Sequence, residues 1–129
     1  MTSSIQRFAS DLPLPFSKAV RAGGFLFLSG QIAMDAHGKP LPGDIAAQTH
    51  AVLKAIAVTL AEHGANLADV VRVSVWLADL DDFGAFNTVY AEYFAGALPA
   101  RSTVQSRLGY GAAIEIEVQA YVGDSPQGR

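Results

Sequence analysis

Ile114-Glu115-Ile116-Glu117-Val118-Gln119-Ala120-Tyr121-Val122 alternates aliphatic residues with polar or aromatic ones along its whole length. Successive side chains on a β-strand point to opposite faces. Ile114, Ile116, Val118, Ala120 and Val122 therefore form one apolar row, and Glu115, Glu117, Gln119 and Tyr121 form the reverse. Such a strand belongs to a sheet covered on one side only, as antiparallel sheets commonly are. Val70–Leu77 repeats the alternation, with Val71, Val73, Val75 and Leu77 on one face and Arg72, Ser74 and Trp76 on the other. Over 101–107, Arg101, Thr103, Gln105 and Arg107 alternate with Ser102, Val104 and Ser106. The aliphatic face is expected to accept helices; the other mixes ionisable groups with Trp76 and Tyr121.

The helices announce themselves by a different period. Asp44 offers an N-cap carboxylate, and Ile45, Val52, Leu53, Ile56, Ala57 and Leu60 follow at 3.6-residue spacing until Gly64 ends the pattern. A second helix is predicted from Asp81 or Asp82 to Phe94, with acidic residues in its first turn where the macrodipole favours them. Before the first helix, Ser17–Ala22 and Phe25–Leu28 read as strands joined at Gly23-Gly24, a hairpin signal. Asp35-Ala36-His37-Gly38 reads as a further turn. Strands over Arg101–Arg107 and Ala113–Val122, joined across Leu108-Gly109-Tyr110-Gly111, complete the order ββ(β)αβαββ. That order predicts an α+β fold, one sheet with two helices laid on one face. The whole of 1–129 reads as one domain, with 1–12 an N-terminal segment bearing the first strand and 123–129 a flexible tail.

Composition narrows the function. Half of the 129 residues are hydrophobic, which excludes a disordered chain. Nine Lys+Arg against 12 Asp+Glu give a net charge of −3, and the basic residues are scattered, so no nucleic-acid footprint is expected. Cysteine is absent, which removes disulfides, thiolate metal sites and a cysteine nucleophile. The N-terminus carries no signal pattern and no apolar run approaches a membrane span, so a cytoplasmic location is expected. His37, His50 and His63 lack metal-site spacing, and no phosphate-loop motif accompanies the glycines; neither a metal nor a cofactor is expected.

Two readings fit the polar sheet face: a solvated surface, or an inter-subunit surface with a pocket at its edge, where Arg, Trp and Tyr are the enriched types. Arg101 follows Leu98-Pro99-Ala100, and its guanidinium could grip a carboxylate bidentately or serve as an ordinary salt-bridged arginine. Glu115 and Glu117 share one strand face, where they could perturb each other's pKa for acid–base work or pair with Arg72, Arg101 or Arg107. Ser29-Gly30-Gln31 ends a strand at a glycine, where backbone N–H groups could meet a ligand.

Several segments together resemble the RidA/YjgF family, also called endoribonuclease L-PSP. They are Pro13-Leu14-Pro15-Phe16-Ser17-Lys18-Ala19-Val20, Phe27-Leu28-Ser29-Gly30-Gln31-Ile32, Gly43-Asp44-Ile45-Ala46-Ala47-Gln48-Thr49, and Asp82-Phe83 through Asn87-Thr88-Val89-Tyr90 and Tyr93-Phe94. The most specific is Pro99-Ala100-Arg101-Ser102-Thr103-Val104 followed by Ile114-Glu115-Ile116-Glu117. The resemblance covers about residues 13–122. It implies a chorismate-mutase-like two-layer sandwich with a mixed sheet, assembled as a homotrimer with clefts between subunits, so that the polar face is buried.

The resemblance further implies cofactor-free hydrolysis of reactive 2-imino acids and their enamine tautomers, such as 2-iminobutanoate and 2-iminopropanoate, to 2-keto acids and ammonia. Arg101 would clamp the substrate carboxylate and Glu115 would orient the attacking water. Ser29, Gly30, Asn87 and Thr103 would line the cleft, Thr103 standing where many members have cysteine. Two departures stand out. Phe16 occupies a position where many active members have tyrosine, and the loop Leu108–Gly111 is one residue shorter and lacks a proline. The alternatives are a non-catalytic member that binds small carboxylates, then an endoribonuclease; a chorismate mutase is more distant, because fold alone does not carry function.

Overall fold

The computed structural model describes residues 4–123; the expected tail lies, Gly123 apart, outside the described residues, as do residues 1–3. Six strands, β1 (Ile5–Ala9), β2 (Ser17–Ala22), β3 (Phe25–Leu28), β4 (Val70–Leu77), β5 (Ala100–Gln105) and β6 (Ile114–Tyr121), form one sheet in the order β1-β2-β3-β6-β4-β5. Every neighbouring pair is antiparallel except β4 and β5, so the sheet is mixed. The parallel pair is the one linked by a helical crossover, as parallel strands require. Helices α1 (Ile45–Glu62) and α2 (Phe83–Phe94) lie together on one face.

The core forms where the helix stripes meet the aliphatic rows. Val52, Leu53, Ile56 and Leu60 of α1 and Phe86 and Phe94 of α2 pack with Val73, Val75 and Leu77 of β4 and with Ile114, Ile116, Val118 and Ala120 of β6, all essentially inaccessible. Burying each large aliphatic side chain stabilises the fold by about 1.5–3 kcal/mol. The α1 boundaries agree with the sequence reading. The Asp44 carboxylate accepts from Ala47 N at 2.9 Å. At the other end Gly64 is left-handed, and the bonds Gly64 N to Ala61 O and Ala65 N to Leu60 O complete a Schellman close. The hairpin forms at Gly23-Gly24, with Gly23 at φ 58. Buried Arg21 donates to the His63 carbonyl at 2.7 Å, placing a cation at the C-terminus of α1.

Two local expectations need correction, and one point left open is settled. Val71 is exposed and Val70 takes the core position, because β4 carries a bulge between Val70 and Arg72 that resets the alternation. The acidic pair Asp81 and Asp82 precedes α2 in a 3-10 turn, capped by the Asp79 side chain through Asp81 N, so the first turn of α2 is not acidic. Most consequential is β5. Its parallel register aligns Arg101 with Val73 and Thr103 with Val75, which puts both on the helix side. Val104, paired with Trp76, faces out. Alternation gave two sets of side chains; the pairing decides which set faces α2.

Two contacts fix the start of β6. The buried Gln48 side chain accepts from Ala113 N at 2.9 Å and donates to the Gly43 carbonyl at 3.2 Å, tying the start of α1 to the entry of β6. Gln31 and Ile116 exchange both backbone hydrogen bonds, at 2.9 and 3.0 Å, so the chain leaving β3 crosses β6 next to Glu115.

Candidate functional site

That crossing gathers one group of the candidate residues. Ser29 turns inward, its hydroxyl donating to the Ser17 carbonyl at 2.6 Å. The Glu115 carboxylate lies against the α-carbon of Gly30, in the space that a β-carbon at position 30 would need. Burial pushes the Glu115 carboxyl above its ordinary pKa, and the charge of Glu117 adds to the rise. Beside it opens a cavity of about 450 Å³ lined by Phe16, Ser29, Gly30 and Glu115, and also by Leu14, Lys18, Met34 and Tyr110. Sites for small molecules span roughly 300–1,000 Å³. Lys18 is not free there, since it pairs with Glu62 at 3.1 Å.

A second group lies on the opposite face, at the β5 edge. The Arg101 guanidinium sits 4.7 Å from the ring centre of Tyr90, 5.1 Å from that of Phe86 and 5.6 Å from that of Phe83. Among the described residues no carboxylate pairs with it, Lys18–Glu62 being the ion pair present. Three aromatic faces thus hold a cation that no carboxylate among the described residues neutralises. Burial raises the Tyr90 phenol above its ordinary pKa, with the Arg101 charge pulling the other way. The Tyr90 hydroxyl and the Thr103 hydroxyl are both buried without a well-aligned hydrogen-bond partner; the guanidinium is near enough to act on Tyr90 but lies over the ring. Half-buried Asn87 shares the α2 stripe of Phe83 and Tyr90, four residues after one and three before the other.

The seven residues expected at the site therefore fall into two groups. Phe16, Ser29, Gly30 and Glu115 line one cavity, whereas Arg101, Thr103 and Asn87 gather at β5 and α2. Trp76, the β4 partner of Glu115, sits on the face away from the helices, so one chain does not bring Glu115 to Arg101. Glu115 and Glu117 form no ion pair with Arg72, Arg101 or Arg107; Arg72 instead donates to the Ser102 hydroxyl at 2.8 Å. The three rings around Arg101 were not anticipated from sequence, although their spacing at 83, 86 and 90 marks one helical stripe. Among the described residues no group of His, Asp and Glu is gathered for a metal ion, and no helix is long and apolar enough to cross a membrane.

The sequence profile of the Endoribonuclease L-PSP family matches residues 9–122. The chain belongs to this family, the RidA/YjgF family. One RidA/YjgF relative, a RutC family protein of Pyrococcus horikoshii, is 48% identical over 109 residues, covering 83% of this chain and 86% of its own. Another, the rat protein named 2-iminobutanoate/2-iminopropanoate deaminase, is 38% identical over 130 residues and 95% of each chain. A YjgF family member from Neisseria meningitidis, known as a crystal structure, superposes with a TM-score of 0.81 at 33% identity, covering 94% of this chain and 97% of that one. The six-stranded mixed sheet with two helices on one face is thus the fold of RidA/YjgF proteins.

Proposed function

We propose that this protein is a cofactor-free deaminase that hydrolyses small 2-imino acids, such as 2-iminobutanoate and 2-iminopropanoate, to 2-keto acids and ammonia. The observation that carries the reading is Arg101, a half-buried permanent cation held by three rings and paired, among the described residues, with no carboxylate. Such a guanidinium suits the carboxylate of a small acid, which it can take bidentately. Relatives with the deaminase name, at 38% identity and below, support the same chemistry.

The site is completed between copies. Arg101 and Glu115 occupy opposite faces of the sheet, so the β5 edge of one copy must meet the Glu115 cavity of another. The open face is suited to burial, with Phe25, Phe27, Tyr121 and Val104 each 37–48% exposed there. A contact between two different patches is heterologous and gives a ring where its rotation closes; the ring we propose is a homotrimer. Within each cleft, Arg101 fixes the carboxylate with Thr103 and Asn87 beside it, and the imine carbon lies toward Glu115. The ionised Glu115 carboxylate takes a proton from a water molecule as its oxygen bonds to that carbon. The same proton is returned to nitrogen, giving a carbinolamine. Glu115 then takes the proton of the new hydroxyl and passes it to the amino nitrogen as the carbon–nitrogen bond breaks and the carbonyl forms, so that ammonia and the 2-keto acid leave. An imine carbon is already electrophilic, so positioning and one general base suffice.

The purified protein, mixed with a threonine dehydratase and threonine, should accelerate imine decay and the appearance of 2-ketobutyrate. A folded trimer that leaves both rates unchanged would overturn the reading. Phe16 favours a second reading, a binder of small carboxylates without useful turnover, because it presents no hydroxyl to the cavity. Binding of 2-ketobutyrate that requires Arg101, with no hydrolysis, would select it.

A further inference from the structure

Tyr110 is the one residue other than glycine, among the described residues, whose backbone lies in the left-handed region, at φ 60 and ψ 19. A residue with a β-carbon adopts this conformation at a cost, and bulky side chains suit it least. Glycine would adopt it freely, and glycines stand on either side, at 109 and 111. The core does not explain the choice, because the ring is 62% exposed. The cavity does. Tyr110 lines it from the turn that leads into β6, five residues before Glu115. On the same cavity stand Leu14 and Phe16, 45% and 43% exposed, from the segment before β2. Three large side chains that no core contact requires thus meet at one opening, next to Ser29, Gly30 and Glu115.

We propose that Tyr110 determines substrate specificity: with Leu14 and Phe16 it forms an apolar subsite for the side chain of the bound 2-imino acid, so that longer apolar side chains are favoured over the shortest. The inference rests on the deaminase reading and adds to it the part of the substrate that neither Arg101 nor Glu115 touches. A six- or seven-atom imino acid leaves much of a cavity of about 450 Å³ unfilled. A branched four-carbon side chain would reach the three rim residues and exclude water from them.

The test compares the 2-imino acids derived from threonine and from leucine. The first is generated in place by a dehydratase and the second by an amino-acid oxidase with catalase. In Tyr110→Gly the ratio of kcat/KM, leucine-derived over threonine-derived, should fall at least about tenfold while the melting temperature does not drop, because glycine relieves the left-handed backbone. Tyr110→Phe should keep the wild-type ratio within about twofold, since the ring and not the hydroxyl makes the contact. An unchanged ratio in Tyr110→Gly, or equal losses on both substrates, overturns the proposal. Should the wild type hydrolyse neither imine, the deaminase reading fails separately. The subsite is then tested by the melting shifts that 4-methyl-2-oxopentanoate and 2-oxobutanoate induce, for which Tyr110→Gly should abolish the larger shift of the branched acid; equal shifts in the wild type overturn the subsite as well.

Discussion

Arg101 and Glu115 are both half-buried ionisable groups of one sheet, yet their surroundings treat their charges in opposite ways. Around Arg101 lie three aromatic faces and two unpartnered hydroxyls, all compatible with a cation and none able to neutralise it. Glu115 lies against Gly30 at the edge of a partly apolar cavity, and its burial, with the charge of Glu117 added, disfavours its anion. A guanidinium cannot shed its proton, so its surroundings serve to position it. A carboxylate can, so its surroundings tune when it does. On the deaminase reading, binding falls to the permanent charge and proton transfer to the adjustable one.

The largest expected effect breaks the binding side. Arg101→Ala should lower kcat/KM for 2-iminobutanoate about 100-fold or more, since two charge-assisted hydrogen bonds at about 1.5–3 kcal/mol each are lost. Arg101→Lys should recover only part, because it keeps the charge without the planar fork. Equal activity in Arg101→Ala, measured on the folded oligomer, would dissolve the contrast altogether.

A smaller effect probes the catalytic side. In Gly30→Ala the new β-carbon competes with the Glu115 carboxylate for the same space, and the flexible carboxylate is what gives way. A displacement of about 1 Å predicts a fall in kcat of about 10- to 100-fold with little change in melting temperature. Undiminished turnover would show that the carboxylate does not act from the place it occupies here.

The smallest effect sharpens the contrast by titration. The raised pKa of Glu115 means that the folded chain holds this proton more tightly than the unfolded chain does. Its ionisation therefore costs stability, beginning as pH rises through the unfolded carboxylate pKa and complete above the folded one. On the deaminase reading the base acts ionised, so the acid limb of the pH–kcat/KM profile should lie above the ordinary carboxylate range. Glu117→Gln removes the like charge and should move that limb to lower pH while burial keeps it from returning fully. A limb that stays put would mean that burial alone sets the shift.

Much of the fold was legible because its signals are local. The alternation over 114–122, the cap at Asp44 and the close at Gly64 each need only a few neighbouring residues to act. Val71 was misread because a bulge adds one residue to the count, and nothing in Val70-Val71-Arg72 announces it. The facing of β5 was beyond local reach. Which of its two rows meets the helices depends on register against β4, a strand more than twenty residues away in the chain, joined through α2. For the same reason the resemblance could point to seven candidate residues but not to their division into two groups. Alternation says that Glu115 and Arg101 each share a face with something; only the order β3-β6-β4-β5 and its register separate them.

On the assembly proposed above, that separation has a genetic reading. No polypeptide would own a complete catalytic centre; each would lend one component to the neighbour on one side and borrow the other from the neighbour on its opposite side. Two defective alleles, one damaged at each component, could then rescue one another at junctions where their intact surfaces happen to meet.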